Sequence, residues 1–204
     1  MLVIGNGESR KSIDIEKINQ SKIGCNAIMR DLTVDYLICV DRRMVDEAIS
    51  LGVNNHSLVY TRKDWYNSYK NHKRLRLVPD LPYVGSERWD EPFNWGSGPY
   101  AVLLAAKLDK ERDVQLIGFD LYSKTNTVNN IYKGTPNYDS EDKRPVDPRY
   151  WIHQIGMVFK NFPKVTFTIY QEPNWELPKA WKYFNVKVDR ISSISYTTYY
   201  DKWP

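Results

Sequence analysis

Short apolar runs that end in glycine or in a polar residue recur along this chain. The first run is Leu2-Val3-Ile4, and Gly5-Asn6-Gly7-Glu8-Ser9 follows it at once. An apolar run that breaks into glycines is typical of a buried strand with a sharp turn at its carboxyl end. We therefore predict a strand, a turn whose glycines permit close approach to a ligand, and a helix over residues 10–18 with Ser9 as its N-cap.

The same patterns predict further strands and helices in alternation. Strands are expected over residues 22–28, 35–40, 57–60, 114–118 and 165–170, and helices over residues 44–51, 100–108 and 149–162. Several of the strands are nearly continuous apolar runs, as in strands that are covered on both faces. This alternation predicts a single α/β domain over residues 1–204, with a Rossmann-like, mostly parallel sheet and helices on both faces.

Three stretches lack a clear period. Residues 61–93 mix aromatic residues with Lys and Arg, which predicts an irregular aromatic insertion. Such a mixture can also grip an oligonucleotide or line an acceptor cleft. Residues 123–148 are long and polar, and a loop of that length in a compact domain is typical of a lid. Residues 171–204 are aromatic and polar without periodicity, so we expect an irregular C-terminal tail.

Polar tips follow three of the predicted strands. They are Gly5-Asn6-Gly7, Asn26 and the turn that contains Asp120. Ligands of open α/β sheets bind at the carboxyl ends of the strands, so we expect the three tips to converge on one crevice. Free N–H groups at a strand-to-helix turn attract phosphate, and the first turn is predicted to form the floor of a nucleotide pocket. A glycine turn that binds nothing is the alternative, since the motif is neither GxGxxG nor a Walker loop.

The charge and the cysteines narrow the class of protein. The net charge of +4 is mild for 204 residues, which fits a small anionic ligand and does not require nucleic acid, so no nucleic-acid partner is expected. Cys25 and Cys39 lie in apolar runs without CxxC or HxxxH spacing. We expect buried, reduced thiols and a cytoplasmic protein. No apolar run reaches the ~18 residues of a transmembrane segment, and a homo-oligomer is left open.

Taken in order, the motifs resemble the bacterial sialyltransferases that use a CMP-activated sugar, of the lipooligosaccharide type. Here the motifs are GNGES, IGCN, SGPYAVLLAAKL, LIGFDLY, the lid-like segment and then His153. That family opens with GNGPS and continues with a CN dipeptide, an SG-led helix, a GIDFY-like strand end and a histidine beyond a mobile lid. The resemblance ends near His153 and does not extend to the C-terminal part.

The resemblance implies an inverting, metal-independent glycosyltransferase that needs no cofactor besides its nucleotide-sugar co-substrate. The donor is expected to carry CMP, and the acceptor to be a glycan or another hydroxyl compound. His153 is implied as the general base that deprotonates the acceptor, and Tyr122 as the donor of a hydrogen bond to the departing phosphate. Substrate-binding roles are implied for Gly5, Asn6, Gly7, Ser9, Asn26, Ser97, Gly98, Asp120 and Tyr132.

The departures from the family leave other interpretations open. Glu8 stands where the family has proline, and the second tyrosine of the family is represented by Tyr132 or Tyr138 in the expected lid. A more remote resemblance, to pterin diphosphokinase-like proteins with a GxGPS opening, implies a Mg²⁺-dependent nucleotide diphosphokinase that uses Asp41 or Asp120. A nucleotide-binding module without catalysis, which Glu8 fits, is a further alternative. For two of the implied site residues a purely structural role is the alternative. His153 then lies on a helix surface, and Asp120 orients its own turn.

Overall fold

A parallel sheet forms the centre of the computed structural model, which describes residues 1–108 and 113–196. Within these residues the sheet has eight strands in the order β5-β4-β3-β2-β1-β6-β7-β8, and every neighbouring pair is parallel. The strands are β1 (Leu2–Ile4), β2 (Lys22–Cys25), β3 (Tyr36–Ile38), β4 (Leu58–Thr61), β5 (Leu75–Leu77), β6 (Asp113–Ile117), β7 (Thr166–Gln171) and β8 (Val186–Arg190). The predicted α/β, Rossmann-like class is confirmed.

Helices cover both faces of the sheet, as predicted. They are α1 (Arg42–Ser50), α2 (Lys63–Tyr69), α3 (Ser97–Leu108) and α4 (Arg149–Asn161). One core cluster joins α3 and α4 to the sheet, and a second joins α1, α2 and several 3-10 turns to the other face. In a right-handed crossover, the direction in which the chain moves across the sheet decides which face the connection covers. Connections that move across the sheet in opposite directions therefore lie on opposite faces. The connections from β1 to β5 therefore share one face, and those that contain α3 and α4 share the other.

The strand order reverses at β1. This strand pairs with β2 on one side and with β6 on the other, so that Ile4 lies beside both Gly24 and Ile117. The pairing continues past the strand end, where the N–H group of Gly5 donates to Ile117 O at 2.8 Å. A topological switch point of this kind is where open α/β sheets bind their ligands.

The first connection differs from the prediction. Instead of a helix over residues 10–18, the chain forms two 3-10 turns, Glu8–Ser12 and Ile15–Lys17. Ser9 lies inside the first turn and is not its N-cap, which is Gly7. The buried residues Ile13, Ile15 and Ile18 do not share one stripe of a 3.6-residue helix, so an α-helix here could not bury all three. Likewise the strand predicted over residues 22–28 ends at Cys25, because a 3-10 turn, Asn26–Arg30, follows.

The stretches predicted as irregular contain regular elements at the sheet edges. Residues 61–93 contain α2, β5, the 3-10 turn Arg88–Asp90 and the start of the 3-10 turn Pro92–Asn94, and the tail contains β8. These elements carry little apolar pattern, since α2 has no fully buried residue and β8 is mostly exposed. The end of the tail, residues 197–204 with Tyr199, Tyr200 and Trp203, lies outside the described residues.

Residues 123–148, predicted as a lid, contain neither helix nor strand and pack against the carboxyl ends of β1 and β2. The N–H group of Ile131 donates to Asn6 O at 2.8 Å. Arg30 donates to Thr135 Oγ1 at 2.8 Å and pairs with Glu47, whose other carboxylate oxygen accepts from Asn137 at 3.0 Å. The middle of the segment, residues 131–137, is therefore anchored to the body of the domain.

Two further predictions concern burial and membrane spans. Cys25 and Cys39 are buried free thiols, as expected, and burial raises the pKa of Cys25 to about 12. At neutral pH such a thiol is almost entirely protonated and a poor nucleophile.

Among the helices of the described residues, none has the length and the apolar character needed to traverse a bilayer.

Candidate functional site

A cavity of about 570 Å³ opens at the switch point. Ligand pockets of proteins commonly have volumes of roughly 300–1,000 Å³, and the volume of this cavity lies within that range. The ends of β1, β2, β3 and β6, the start of α3 and parts of residues 123–148 form its walls. The residues predicted for substrate binding that line it are Gly5, Asn6, Gly7, Asn26, Ser97, Gly98 and Asp120. The expected convergence of the three strand tips is thus confirmed.

Two asparagine side chains and a serine form the polar floor. Ser97 Oγ donates to Asn26 Oδ1 at 2.8 Å and accepts from the Val40 N–H at 3.2 Å, which joins the ends of β2 and β3 to α3. Asn26 adopts a positive φ of 50°. Asn6 Nδ2 donates to Cys25 O at 3.2 Å, while within the described residues its buried Oδ1 has no partner. A buried amide oxygen without a partner favours a ligand that supplies a donor.

The N-terminus of α3 also lies at the cavity. The first intrahelical bond runs from the Tyr100 N–H to Gly96 O at 3.2 Å. The N–H groups of Ser97 and Gly98 therefore precede the helical ladder, and Pro99 has no N–H group. The dipole of this twelve-residue helix places partial positive charge at the same end. This part of the cavity is suited to a phosphate or a carboxylate.

The first glycine turn is occupied by the protein itself. Asp120, which is 8% exposed, accepts from the Ser9 N–H at 2.9 Å and from the Ser9 hydroxyl. The N–H of Gly7 donates to Gly118 O at 2.9 Å, and that of Glu8 to Asn129 Oδ1 at 2.8 Å. The prediction that these N–H groups are free for a phosphate is therefore wrong, because a carboxylate and two other acceptors already satisfy them. The contacts of Asp120 instead fit the alternative in which it orients its turn.

Glu8, which stands where the sialyltransferases have proline, forms ion pairs with two lysines. Its carboxylate pairs with Lys11 at 2.8 Å and with Lys133 at 3.2 Å. Burial raises the pKa of Glu8, but the hydrogen bonds and charges of the two lysines outweigh burial and lower it overall. Glu8 is not among the cavity-lining residues, so its charge is compatible with an anionic ligand.

Among the tyrosines of this region, Tyr138 is the one that lines the cavity. Its hydroxyl accepts from Asn6 Nδ2 at 3.3 Å, and its pKa is raised to about 12, mainly by burial. Tyr132 is buried beside the site, where its hydroxyl accepts from Arg10 at 2.8 Å and donates to Asp31 at 2.7 Å. Tyr122 is 38% exposed and packs near Trp175, and burial raises its pKa. Neither Tyr122 nor Tyr132 lines the cavity.

His153 lies on α4, between two cavity-lining residues, Trp151 and Ile155, but does not line the cavity itself. Its Nε2 atom is 2.6 Å from Asp90 Oδ1, and its ring stacks on Trp89 with 5.2 Å between the ring centroids. The carboxylate–imidazole contact fixes the orientation of the ring and leaves Nδ1 as the second nitrogen.

Asp90 is held in place by other contacts. Its Oδ1 atom also accepts from the Tyr83 hydroxyl at 2.9 Å, and its Oδ2 atom accepts from the Glu87 N–H at 3.0 Å. Burial raises the pKa of Asp90, but the hydrogen bonds from His153, Tyr83 and Glu87 more than offset burial and keep the pKa below its ordinary value. Asp90 is therefore a carboxylate at neutral pH.

The sequence did not single out Phe93 and Arg62, which both line the cavity. Phe93 is 63% exposed, and the Arg62 guanidinium lies 4.3 Å from the centroid of its ring. The available signal was the mixture of aromatic and basic residues over 61–93, which does not identify the members that face a ligand.

The residues 1–108 and 113–196 hold no group of three His, Cys, Asp or Glu side chains placed to bind a metal ion. Asp41 and Asp120, the magnesium ligands of the diphosphokinase alternative, both line the cavity. Together these observations define an α/β protein with a cavity at the switch point of its parallel sheet. Comparisons with family models, with curated proteins and with solved structures find no match for this chain.

Proposed function

We propose that this protein is a sialyltransferase-like glycosyltransferase. In this proposal a nucleotide sugar, with CMP as the nucleotide, binds in the switch-point cavity, and the sugar passes with inversion to an acceptor hydroxyl without a metal ion. One observation carries the proposal: Asn6, Asn26 and Ser97 meet at a single cavity although they follow or precede different elements of the fold. Their order along the chain is also the order of the motifs in the resembling family.

The phosphate of the donor is proposed to bind at the start of α3. Departure of CMP increases the negative charge on this phosphate, and fixed donors stabilise that charge in the transition state. The N–H groups of Ser97 and Gly98 supply such donors. Tyr138, one of the two candidates for the second tyrosine of the family, is proposed to donate to this phosphate in place of Tyr122, because its hydroxyl lies at the cavity next to Asn6. The free Oδ1 of Asn6 is suited to a hydroxyl of the ribose.

His153 is proposed as the general base. Asp90 stabilises the imidazolium that forms when the ring takes the proton of the acceptor hydroxyl, and it holds the ring by its Nε2 atom. Because His153 does not line the cavity, this role requires an acceptor that reaches the ring beside Trp151. The cavity therefore supports the binding of the donor. The contact with Asp90 and the resemblance to the sialyltransferases support the role of His153 as the base.

Nucleotide binding is tested by thermal shift with CMP, CDP, UDP, GDP and ATP, each with and without Mg²⁺. A ligand that binds only the folded protein raises its apparent stability, by about 2.7 kcal/mol at a hundredfold excess over Kd. We expect CMP to raise the melting temperature without Mg²⁺. A shift that needs Mg²⁺ and ATP supports the diphosphokinase instead, and no shift with any nucleotide contradicts both enzymes.

Catalysis is tested by following CMP release from a CMP-sugar. His153→Ala is expected to lower the transfer rate by roughly 10²–10⁴-fold, as for loss of a general base, without changing the shift caused by CMP. His72→Ala, at an exposed position, is the matched control and is expected to keep full activity. Equal rates for the wild type and His153→Ala remove this residue from the mechanism.

A nucleotide-binding module without catalysis is the second candidate. The observation that favours it is the position of Tyr122 and His153, which do not line the cavity. In this case CMP stabilises the protein, but no CMP-sugar is consumed with any acceptor.

A further inference from the structure

An exposed aromatic ring stands at the wall of the cavity. Phe93 belongs to the 3-10 turn Pro92–Asn94, which two residues separate from α3, and it is 63% exposed although it lines the cavity. The sequence favoured packing for the aromatic residues of this stretch and did not single out Phe93. A large apolar side chain that stays exposed at a concave site is typical of a ligand contact.

Arg62 fixes this ring from behind. Its guanidinium lies 4.3 Å from the ring centroid, and its Nη1 atom donates to the carbonyl oxygen of Phe93 at 2.5 Å. A second bond, from Nη2 to Asp64 Oδ2 at 2.9 Å, and the neighbouring Trp65 ring hold the arginine itself. Because the central carbon of the guanidinium lies over the ring, the guanidinium covers one of its faces. The exposure of Phe93 leaves the other face open.

We propose that the open face of Phe93 stacks against the base of the bound nucleotide. This inference rests on the proposed function, which places a nucleotide in the cavity. A flat ring held at a fixed angle loses little freedom on binding, and every nucleobase offers a π face for stacking. Phe93 then contacts the base at one part of the cavity, while Ser97 and Gly98 at the start of α3 contact the phosphate.

Comparing the binding of two ligands, one with a base and one without, distinguishes stacking on Phe93 from its other contacts. CMP has a base, ribose and phosphate, whereas ribose 5-phosphate lacks the base. Binding of both is measured by calorimetry for the wild type, Phe93→Leu, Phe93→Trp and Tyr183→Ala. Phe93→Leu keeps an apolar side chain without a ring, and Tyr183, which is 92% exposed, is the matched control outside the cavity.

We expect Phe93→Leu to weaken CMP binding by roughly 5- to 150-fold, the range that loss of one stacked base produces. Binding of ribose 5-phosphate is expected to stay unchanged. Phe93→Trp, which keeps an aromatic face, is expected to bind CMP at least as tightly as the wild type, and Tyr183→Ala to bind both ligands normally.

Each other outcome has a distinct meaning. If Phe93→Leu binds CMP as the wild type does, the stacking inference is wrong and the proposed function stands. An equal loss for CMP and ribose 5-phosphate also overturns it, since the ring then acts on the ribose phosphate or on the local fold. A wild-type protein that binds no CMP refutes the proposed function itself.

Discussion

Close backbone contact limits which residues the strand ends can accept. A β-carbon at Gly5 would lie 2.4 Å from Gly118 O, whereas a β-carbon at Gly98 would find its nearest neighbour, a ring carbon of Phe119, at 3.5 Å. The first distance is a severe clash with backbone, and the second is ordinary van der Waals contact. Both glycines line the cavity, but only Gly5 is required by packing.

Substituting each glycine by alanine tests this difference. Gly5→Ala is expected to lower the free energy of unfolding by about 1–3 kcal/mol or more, because the loops after β1 and β6 must separate. Gly98→Ala is the matched control, with a free energy of unfolding equal to or slightly above that of the wild type, since alanine favours the helix. Urea unfolding measures both, and equal losses contradict the packing argument.

A second prediction concerns Asp90 and pH. Its pKa is lowered in the folded protein, so its ionised form stabilises the fold above the ordinary carboxyl pKa of 3.8. This stabilisation is lost as the pH falls through the lowered value. Asp90→Asn is expected to cost about 1–3 kcal/mol at pH 7, since the hydrogen bonds involve a charged group, and much less in acid.

Urea unfolding at neutral and acid pH checks this expectation. Asp189→Asn, at an exposed position of β8, is the control and is expected to change the stability little at either pH. An Asp90→Asn variant whose loss is the same at pH 7 and in acid shows that the charge of Asp90 does not stabilise the fold.

At the scale of elements, burial decided what the sequence could predict. β1 and β3 were predictable because they are short runs of apolar residues. β6 and β7 were predictable because they carry buried apolar residues at alternate positions, Val114 and Leu116 in β6 and Phe167 and Ile169 in β7. β5, with three residues and two of them exposed, and β8, which is mostly exposed, have no such pattern. An edge strand is specified by its neighbour's hydrogen bonds, which a sequence pattern does not record.

Part of the candidate site could also be predicted from the sequence pattern, and part of it could not. Asn6 and Asn26 each follow an apolar strand, and parallel strands end at one edge of the sheet, so their meeting could be predicted. The contact of Asn6 with Tyr138 joins residues 132 positions apart, and the stacking of Arg62 on Phe93 depends on how residues 61–93 pack. Sequence spacing alone carries no signal for either contact.

The C-terminal tail gives an element-scale prediction. Trp181 is 1% exposed, packs edge-on against Phe159 at 5.0 Å and donates to Ile152 O at 2.8 Å. Trp181→Ala is expected to cost about 3–5 kcal/mol, as for truncation of a buried aromatic residue. Tyr183→Ala, two positions away and exposed, is expected to change stability by less than about 0.5 kcal/mol. Denaturant unfolding measures the loss of stability in both variants. A loss for Trp181→Ala as small as that for Tyr183→Ala shows that the tail does not belong to the core.

The whole molecule is organised around β1, which lies between two unequal groups of strands. β2 to β5 lie on one side and β6 to β8 on the other, and α3 crosses from the first group to the second over one face. The site therefore depends on both groups, since Asn26 comes from one and Asp120 from the other.

This arrangement has a consequence for the protein during its synthesis. Gly24, one neighbour of Ile4 in the sheet, is made soon after it, whereas the other neighbour, Ile117, is made much later. At typical rates of 5–20 residues per second, one side of the central strand waits on the order of ten seconds without its partner. An apolar strand with an open edge invites pairing with the wrong chain. We therefore expect the nascent chain, rather than the finished protein, to be the form that most needs a chaperone.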